Sequence, residues 1–352
     1  MASSLYDELR ESSINSDNCP LFIVHWHLIP MFRHSFIHIH GVGPKLEQAL
    51  WREGVTDWRT ALDTPLERIA HVKADWVKRG CEAALRAVER GDLAHFAQCW
   101  PSRDAWRWLA EFADRAVYLD IETTGEPKEI GDITCIGLYD GRGPRMLVQG
   151  RDLDQLPEAL APYSLVVTYN GGPFDLPFIR AKFPGIRLPP LHVDLCPSLR
   201  HVGLKGGLKS IERQAHLDRP EVVEEADGWT AVLLWRRHLA GDDRALPTLL
   251  RYCAEDIVAL EPLARIAYNR HLDALAIKPP IVARLEQAPR PFLDMPFSRE
   301  LMAELTGIGL PSAPSVVRET PPPWQAQVRP PVMHSAHEKA MEWLNTKTQR
   351  KG

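Results

Sequence analysis

The hydrophobic pattern of the chain changes period once, at Ala116, and that change limits what the chain can fold into. Upstream, apolar residues recur at helical spacing: Leu46, Ala49, Leu50 and Trp51, then Trp76, Val77, Cys81, Ala84, Leu85 and Val88. Downstream, Ala116 to Ile121 is an apolar run of strand length, and 133–139 and 146–149 follow at hairpin distances, which predicts a three-stranded meander. Residues 164–170 predict a fourth strand and 191–195 a fifth. The rest reads as helix: 174–183 with Pro177 near its first turn, 208–216, 229–239, and a long segment from Leu246 to about His271 whose Pro247 suits a helix start. Strands first, then helices alternating with a strand, predict an α/β domain built on a mixed sheet flanked by helices.

This pattern divides the 352 residues into four parts. Residues 1–30 read as a poorly structured extension, with Met31 as an alternative start. Residues 31–112 form a small all-α module, 115–275 the α/β domain, and 276–352 a Pro-rich tail, partly extended in polyproline fashion. A short helix at 337–344, with Met341 and Leu344 on one side, ends the tail and makes a protein a candidate partner for it. A net charge of -4 supplies no global field for a polyanion, so any nucleic-acid role must rest on a local basic patch or on bound metal. The six cysteines are scattered without a C-x-x-C pair, which fits reduced thiols in a cytoplasmic protein. The apolar stretch from Leu21 to Phe32 is broken by His25, His27 and Pro30, and no run is long enough to span a bilayer, so no membrane association is expected.

Chemistry concentrates at three places. Asp120 and Glu122 lie two apart at the end of the first strand and so share a face, while Ile121 faces the opposite layer. Paired carboxylates at a sheet centre are costly unless a cation joins them, and hard divalent ions such as Mg²⁺ or Mn²⁺ prefer such oxygen ligands. Asn170, Gly171, Gly172, Pro173, Phe174 and Asp175 follow the fourth strand and place another carboxylate at a helix start, with the Asn170 amide free to hold a substrate sugar or the loop itself. In the long last helix, Tyr252 and Asp256 stack one turn apart. Taken singly, these read more readily as a strand end turning polar, an N-cap or turn aspartate and a solvated helix face.

Taken in order, the three motifs resemble those of the DEDD superfamily of 3′→5′ exonucleases, which have a ribonuclease H-like fold, over about residues 115 to 272. The tyrosine at 252 places the chain with the tyrosine (DEDDy) subgroup, since the histidine subgroup carries its histidine where this chain has Arg251. Within the superfamily it is similar to the predicted exonucleases of the YprB type, which also carry a Lys-rich segment like 204–209. The resemblance implies Asp120, Glu122, Asp175 and Asp256 as metal ligands, with Asp120 bridging two ions of Mg²⁺ or Mn²⁺, and Tyr252 as the residue that orients or helps deprotonate the attacking water. It implies hydrolysis of DNA or RNA from a 3′ end. Thr123 and Asn170 join the expected nucleic-acid contacts.

Arg200, Lys205, Lys209 and Arg213 form a basic stretch opposed only by Glu212, suited to phosphate contacts and equally to a solvated helix face. Leu208 separates Gly207 from Lys209, which excludes an ATPase-type phosphate loop. Asp194 reads as a helix cap rather than a ligand. In the N-terminal module, Gly41-Val-Gly43-Pro44-Lys45 resembles the hairpin of a helix-hairpin-helix motif, whose backbone N–H groups and lysine grip phosphates without regard to sequence. The neighbouring His34, His38 and His40 are expected to face solvent. The competing function is a nucleic-acid-binding scaffold with a weak or inactive nuclease-like domain; a structure-specific endonuclease ranks third.

Overall fold

A computed structural model of the protein describes residues 31–220, 227–279 and 282–307. The period-two text of the central region builds five strands: β1 (Ala116–Thr123), β2 (Ile133–Tyr139), β3 (Arg145–Val148), β4 (Leu165–Thr168) and β5 (Leu191–Asp194). Their order across the sheet is β3-β2-β1-β4-β5. The meander β1-β2-β3 is antiparallel, and β4 and β5 add in parallel on the other side of β1. The sheet is therefore mixed, with β1 at its centre.

Alternation along β1 sends side chains into two layers. Val117, Leu119 and Ile121 pack with α7 (Leu156–Leu160) and α8 (Asp175–Lys182) on one face. Ala116 and Tyr118 face a larger core on the other, where α12 (Ala245–Ala274) lies across the sheet. That helix approaches β2 at Gly137, where an added Cβ would fall 2.9 Å from Cys253 Sγ and 3.1 Å from Ile257 Cδ1. A glycine inside a strand marks such a close approach. Flanking α12 are α9 (Leu195–His201), α10 (Leu208–Gln214) and α11 (Gly228–Leu239). The last of these begins with a capping box between Asp227 and Thr230.

The N-terminal module contains α1 (Pro44–Arg52), α2 (Trp58–Asp63), α3 (Glu67–Ala70), α4 (Ala74–Glu89), α5 (Leu93–Cys99) and α6 (Trp108–Glu111). One hydrophobic cluster runs from Met31 through this module to Leu272 of α12. Trp106 stacks on His271 at 5.0 Å and meets Tyr268 edge-on at 5.6 Å across the junction. Arg107 and Glu47, both almost fully buried, form a two-pronged ion pair at 2.8 and 2.9 Å, and Glu47 Oε1 also accepts from Ser35 Oγ and the Phe36 N–H.

Three local expectations are corrected. Residues 35–43, before α1, form turns preceded by a four-residue 3₁₀ helix (Met31–His34), so the Gly41–Gly43 loop is not bracketed by two α-helices. His34 and His38 are buried rather than solvent-facing, and His38 stacks on Trp100 with burial pushing its pKa down to about 3. Leu195 opens α9 instead of ending β5, because Asp194 accepts the Cys196 N–H and caps the helix as predicted.

The Pro-rich segment is extended from 282 to 298, in keeping with its composition, but it is docked rather than loose. It runs antiparallel to α12: Leu285 pairs with Asn269, Glu286 with Arg265, Arg290 with Glu255, Met295 with Arg251 and Ser298 with Thr248. Leu293 is buried, and α13 (Arg299–Thr306) follows with Leu301 and Met302 inside. The short helix expected at 337–344 and the residues 1–30 lie outside the described residues.

Candidate active site

The carboxylates meet where β1 ends, α8 begins and α12 passes over the sheet. Period two on β1 puts Asp120 and Glu122 on the face toward α12, and pairing sets Asp120 opposite Gly137, the residue against which α12 closes in. Asp120, Glu122 and Cys253 offer ligand atoms within 4.8 Å of one another. Asp175, first residue of α8, points back to β1 and accepts the Ile121 N–H at 3.2 Å, which rules out a simple N-cap role. Asp256 reaches the same region from α12 and accepts from Arg219.

Electrostatics record the crowding. The Asp120 carboxyl is held well above the usual range by burial, then by Asp175 and Asp256, with Arg219 opposing. Glu122 is raised likewise by burial and by Asp120, with Lys209 opposing. Asp175 is pushed up to about 7, chiefly by burial. Burial, Asp256 and Glu122 raise the Tyr252 phenol far above its ordinary value, so it stays protonated at neutral pH. Buried carboxyls crowded in this way ionise at neutral pH only with a cation beside them. The donor set is oxygen-rich, which fits Mg²⁺ or Mn²⁺. The Cys253 thiol, packed on Gly137 and raised well above its ordinary pKa, is a poor ligand for such ions.

Residues 117–268 match the sequence profile of a family described as RNase_H superfamily. This part of the chain is a ribonuclease H-like domain. Among solved structures, NrnC of Brucella melitensis with bound Mg²⁺ is similar at 18% identity and a TM-score of 0.34, covering 48% of this chain and 79% of that one. The Nibbler EXO domain of Aedes aegypti is similar at 14% identity and a TM-score of 0.33, covering 50% and 87%. No curated protein matches the chain.

Around the carboxylates of the ribonuclease H-like domain, the remaining predicted residues separate. Lys209 is placed at the site, with its Nζ 5.1 Å from the centre of the Tyr252 ring and its pKa lowered to about 8 by burial and by Arg219. Lys205 lies exposed in the loop before α10. Thr123 Oγ1 accepts the Gly125 N–H at 3.3 Å and so turns the chain as β1 ends. Asn170 sits in the left-handed region at φ 62, a conformation asparagine tolerates, and donates its N–H to Asp194. Asp194 also accepts from Gly172, so it fastens the loop that presents Asp175. Gly41, Gly43 and Lys45 belong to the N-terminal module and are not part of this cluster; the Gly41 carbonyl accepts from Lys73 Nζ at 2.7 Å.

Several residues at the site escaped the sequence reading. Arg219 is buried and ties Asp256 to Glu212. Two large aromatics stand exposed near the carboxylates: Phe174 beside Asp175, and Trp229, which approaches Gly125 and carries Arg236 over its ring at 5.2 Å. Gly137 had a readable signal, a glycine inside an otherwise apolar strand. Arg219 had none, because it lies in irregular chain after α10 and its link to Asp256 spans 37 residues.

Proposed function

We propose that the protein is a metal-dependent 3′→5′ exonuclease that hydrolyses single-stranded or frayed DNA or RNA, a tyrosine-type DEDD nuclease with YprB-like character. The observation that carries this reading is the meeting of Asp120, Glu122, Asp175 and Asp256 with Tyr252 where β1 ends, with more buried carboxyls than the facing cations Arg219 and Lys209. Asp120, Glu122, Asp175 and Asp256 would hold two Mg²⁺ or Mn²⁺ ions. A bound pair of ions supplies an activated water and stabilises the charge on the leaving 3′ oxygen.

The side chains do the rest. Tyr252, protonated at neutral pH, orients the attacking water by hydrogen bonding rather than by taking its proton. Lys209 faces the same region and offers a positive charge to a non-bridging phosphate oxygen. Phe174 and Trp229 present flat apolar faces on which the terminal bases stack without regard to sequence. The Gly41–Lys45 loop of the N-terminal module would hold backbone further from the 3′ end. No helix among the described residues is long and apolar enough to cross a membrane, and none of these roles requires one.

The test is degradation of 3′- and 5′-labelled single-stranded DNA and RNA with Mg²⁺, Mn²⁺ or EDTA, comparing the wild-type chain with Asp120→Asn and Tyr252→Phe. Metal-dependent release of 5′-mononucleotides from the 3′ end, lost in Asp120→Asn, supports the reading and identifies the preferred sugar. Binding without cleavage by well-folded protein would replace it with the scaffold.

A further inference from the structure

The ion pair between Asp256 and Arg219 is the first link of a longer chain of buried charge. Arg219 donates to Glu212 through Nε at 2.7 Å and Nη2 at 2.8 Å. Glu212 Oε1 is 3.2 Å from Arg290 Nη1. Arg290 in turn holds Glu255 by its carboxylate at 2.6 Å and its backbone carbonyl at 2.7 Å. Arg251 closes the series on Glu255 Oε1 at 2.7 Å and reaches the Met295 carbonyl. The signs alternate through all six side chains, so the series is neutral as a whole, and its inner members are almost completely shielded from water.

Arg290 is the member that comes from elsewhere. The others belong to α10, α12 and the loop after α10, whereas Arg290 enters from the extended segment laid along α12. We propose that Arg290 is a positioning residue of the carboxylate site, acting on Asp256 through Glu212 and Arg219; this rests on the metal-site reading above. Glu212 is shared by two guanidinium groups. When Arg290 is removed, Glu212 keeps Arg219 alone and draws it away from Asp256, whose carboxylate then loses its fixed orientation. Asp256 follows Glu255 directly in α12, so loosening the Glu255 end disturbs the same turn of helix. The Pro-rich segment thereby becomes a working part of the site without touching substrate.

Arg290 is a cleaner probe than Arg219. Removing Arg219 also deletes a positive charge beside the ligands, which by itself strengthens cation binding and masks the loss of orientation. The experiment is calorimetric titration of the full chain with Mn²⁺, for the wild type, Arg290→Met, Arg290→Lys and the exposed neighbour Phe292→Ser. Loss of an outer partner of a ligand weakens metal binding by about 10-fold or more. Arg290→Met is expected to show that loss, Arg290→Lys to recover part of it, and Phe292→Ser to match the wild type.

If Arg290→Met fails to fold, Arg290→Met combined with Glu255→Gln keeps the remaining charges balanced and still leaves Glu212 without Arg290, so the same weakening is expected. Wild-type affinity in a folded variant lacking Arg290 overturns this proposal alone. Absence of Mn²⁺ binding by the wild-type chain overturns it together with the metal-site reading.

Discussion

Two regions of this molecule bury charge, and they do so to opposite effect. In the N-terminal module, Glu47 meets Arg107 with two prongs, and Ser35 and the Phe36 amide take up the remaining capacity of one oxygen. Where β1 ends, Asp120, Glu122, Asp175 and Asp256 crowd together with Arg219 and Lys209 as the facing cations. The first arrangement pairs its charges within the chain and serves to fix helices against one another. Among the described residues the second has more carboxyls than facing cations, and the proposed metal ions would complete it. Counting charges against partners separates structural from functional burial here better than burial itself.

The largest effect that can break this comparison is on stability. Arg107→Met leaves Glu47 buried without its cation and should cost about 3–5 kcal/mol, measured by denaturant titration. Asp120→Asn should behave in the opposite way. It relieves repulsion, so the metal-free protein should melt higher than wild type, while the gain from Mn²⁺ disappears and exonuclease activity falls by about 10²–10³-fold, the scale of losing a preorganised electrostatic group. If Asp120→Asn destabilised the metal-free fold as Arg107→Met does, the distinction between the two clusters would collapse.

The dependence on pH sharpens the same contrast. Asp175 titrates at about 7 in the folded chain against an ordinary value of 3.8. Between those values the folded form holds a proton that the unfolded form has released, so unfolding free energy falls as pH rises. Metal-free protein should therefore lose thermal stability from about pH 4 upward, with Asp120 and Glu122 adding to the slope, and Asp175→Asn should make the loss up to about pH 7 shallower. Saturating Mn²⁺ should restore stability at the upper end.

Smaller effects concern the substrate. Trp229→Ala should weaken single-stranded DNA binding by about 1–3 kcal/mol, the value of one stacked base, raising KM with little change in kcat. Lys45→Ala should weaken binding slightly for every sequence and lower the salt dependence of the affinity by about one ion.

Much of the fold was legible because periodicity survives in a single sequence. The five strands fall within a few residues of the runs that predicted them, and period two alone put Asp120 and Glu122 on a common face with Ile121 opposite. The long helix was equally plain, since its apolar text runs unbroken past Pro262, which the helix accommodates. Other features depend on tertiary neighbours. His34 ends a short 3₁₀ helix and His38 lies on a turn, where no period signals which side faces inward; His34 meets the Thr56 carbonyl and the aromatic core of the module claims His38. The segment from 282 to 298 has no amphipathic repeat, so its docking on α12 rests on individual pairs such as Leu285 with Asn269. Glu212 read as the lone acid in a basic stretch, but it is buried between Arg219 and Arg290, whose approach no local pattern foretells.

Gly137 places one further demand on the molecule. The distance between the long helix and β2 is set there by a missing side chain, directly across from Asp120 on β1. A single methyl group at that point would act as a shim, lifting Tyr252 and Asp256 from the strand while leaving every acidic residue in the sequence. The proposed activity would thus be switched off by thickness alone, and a survey restricted to the acidic residues would not see the lesion.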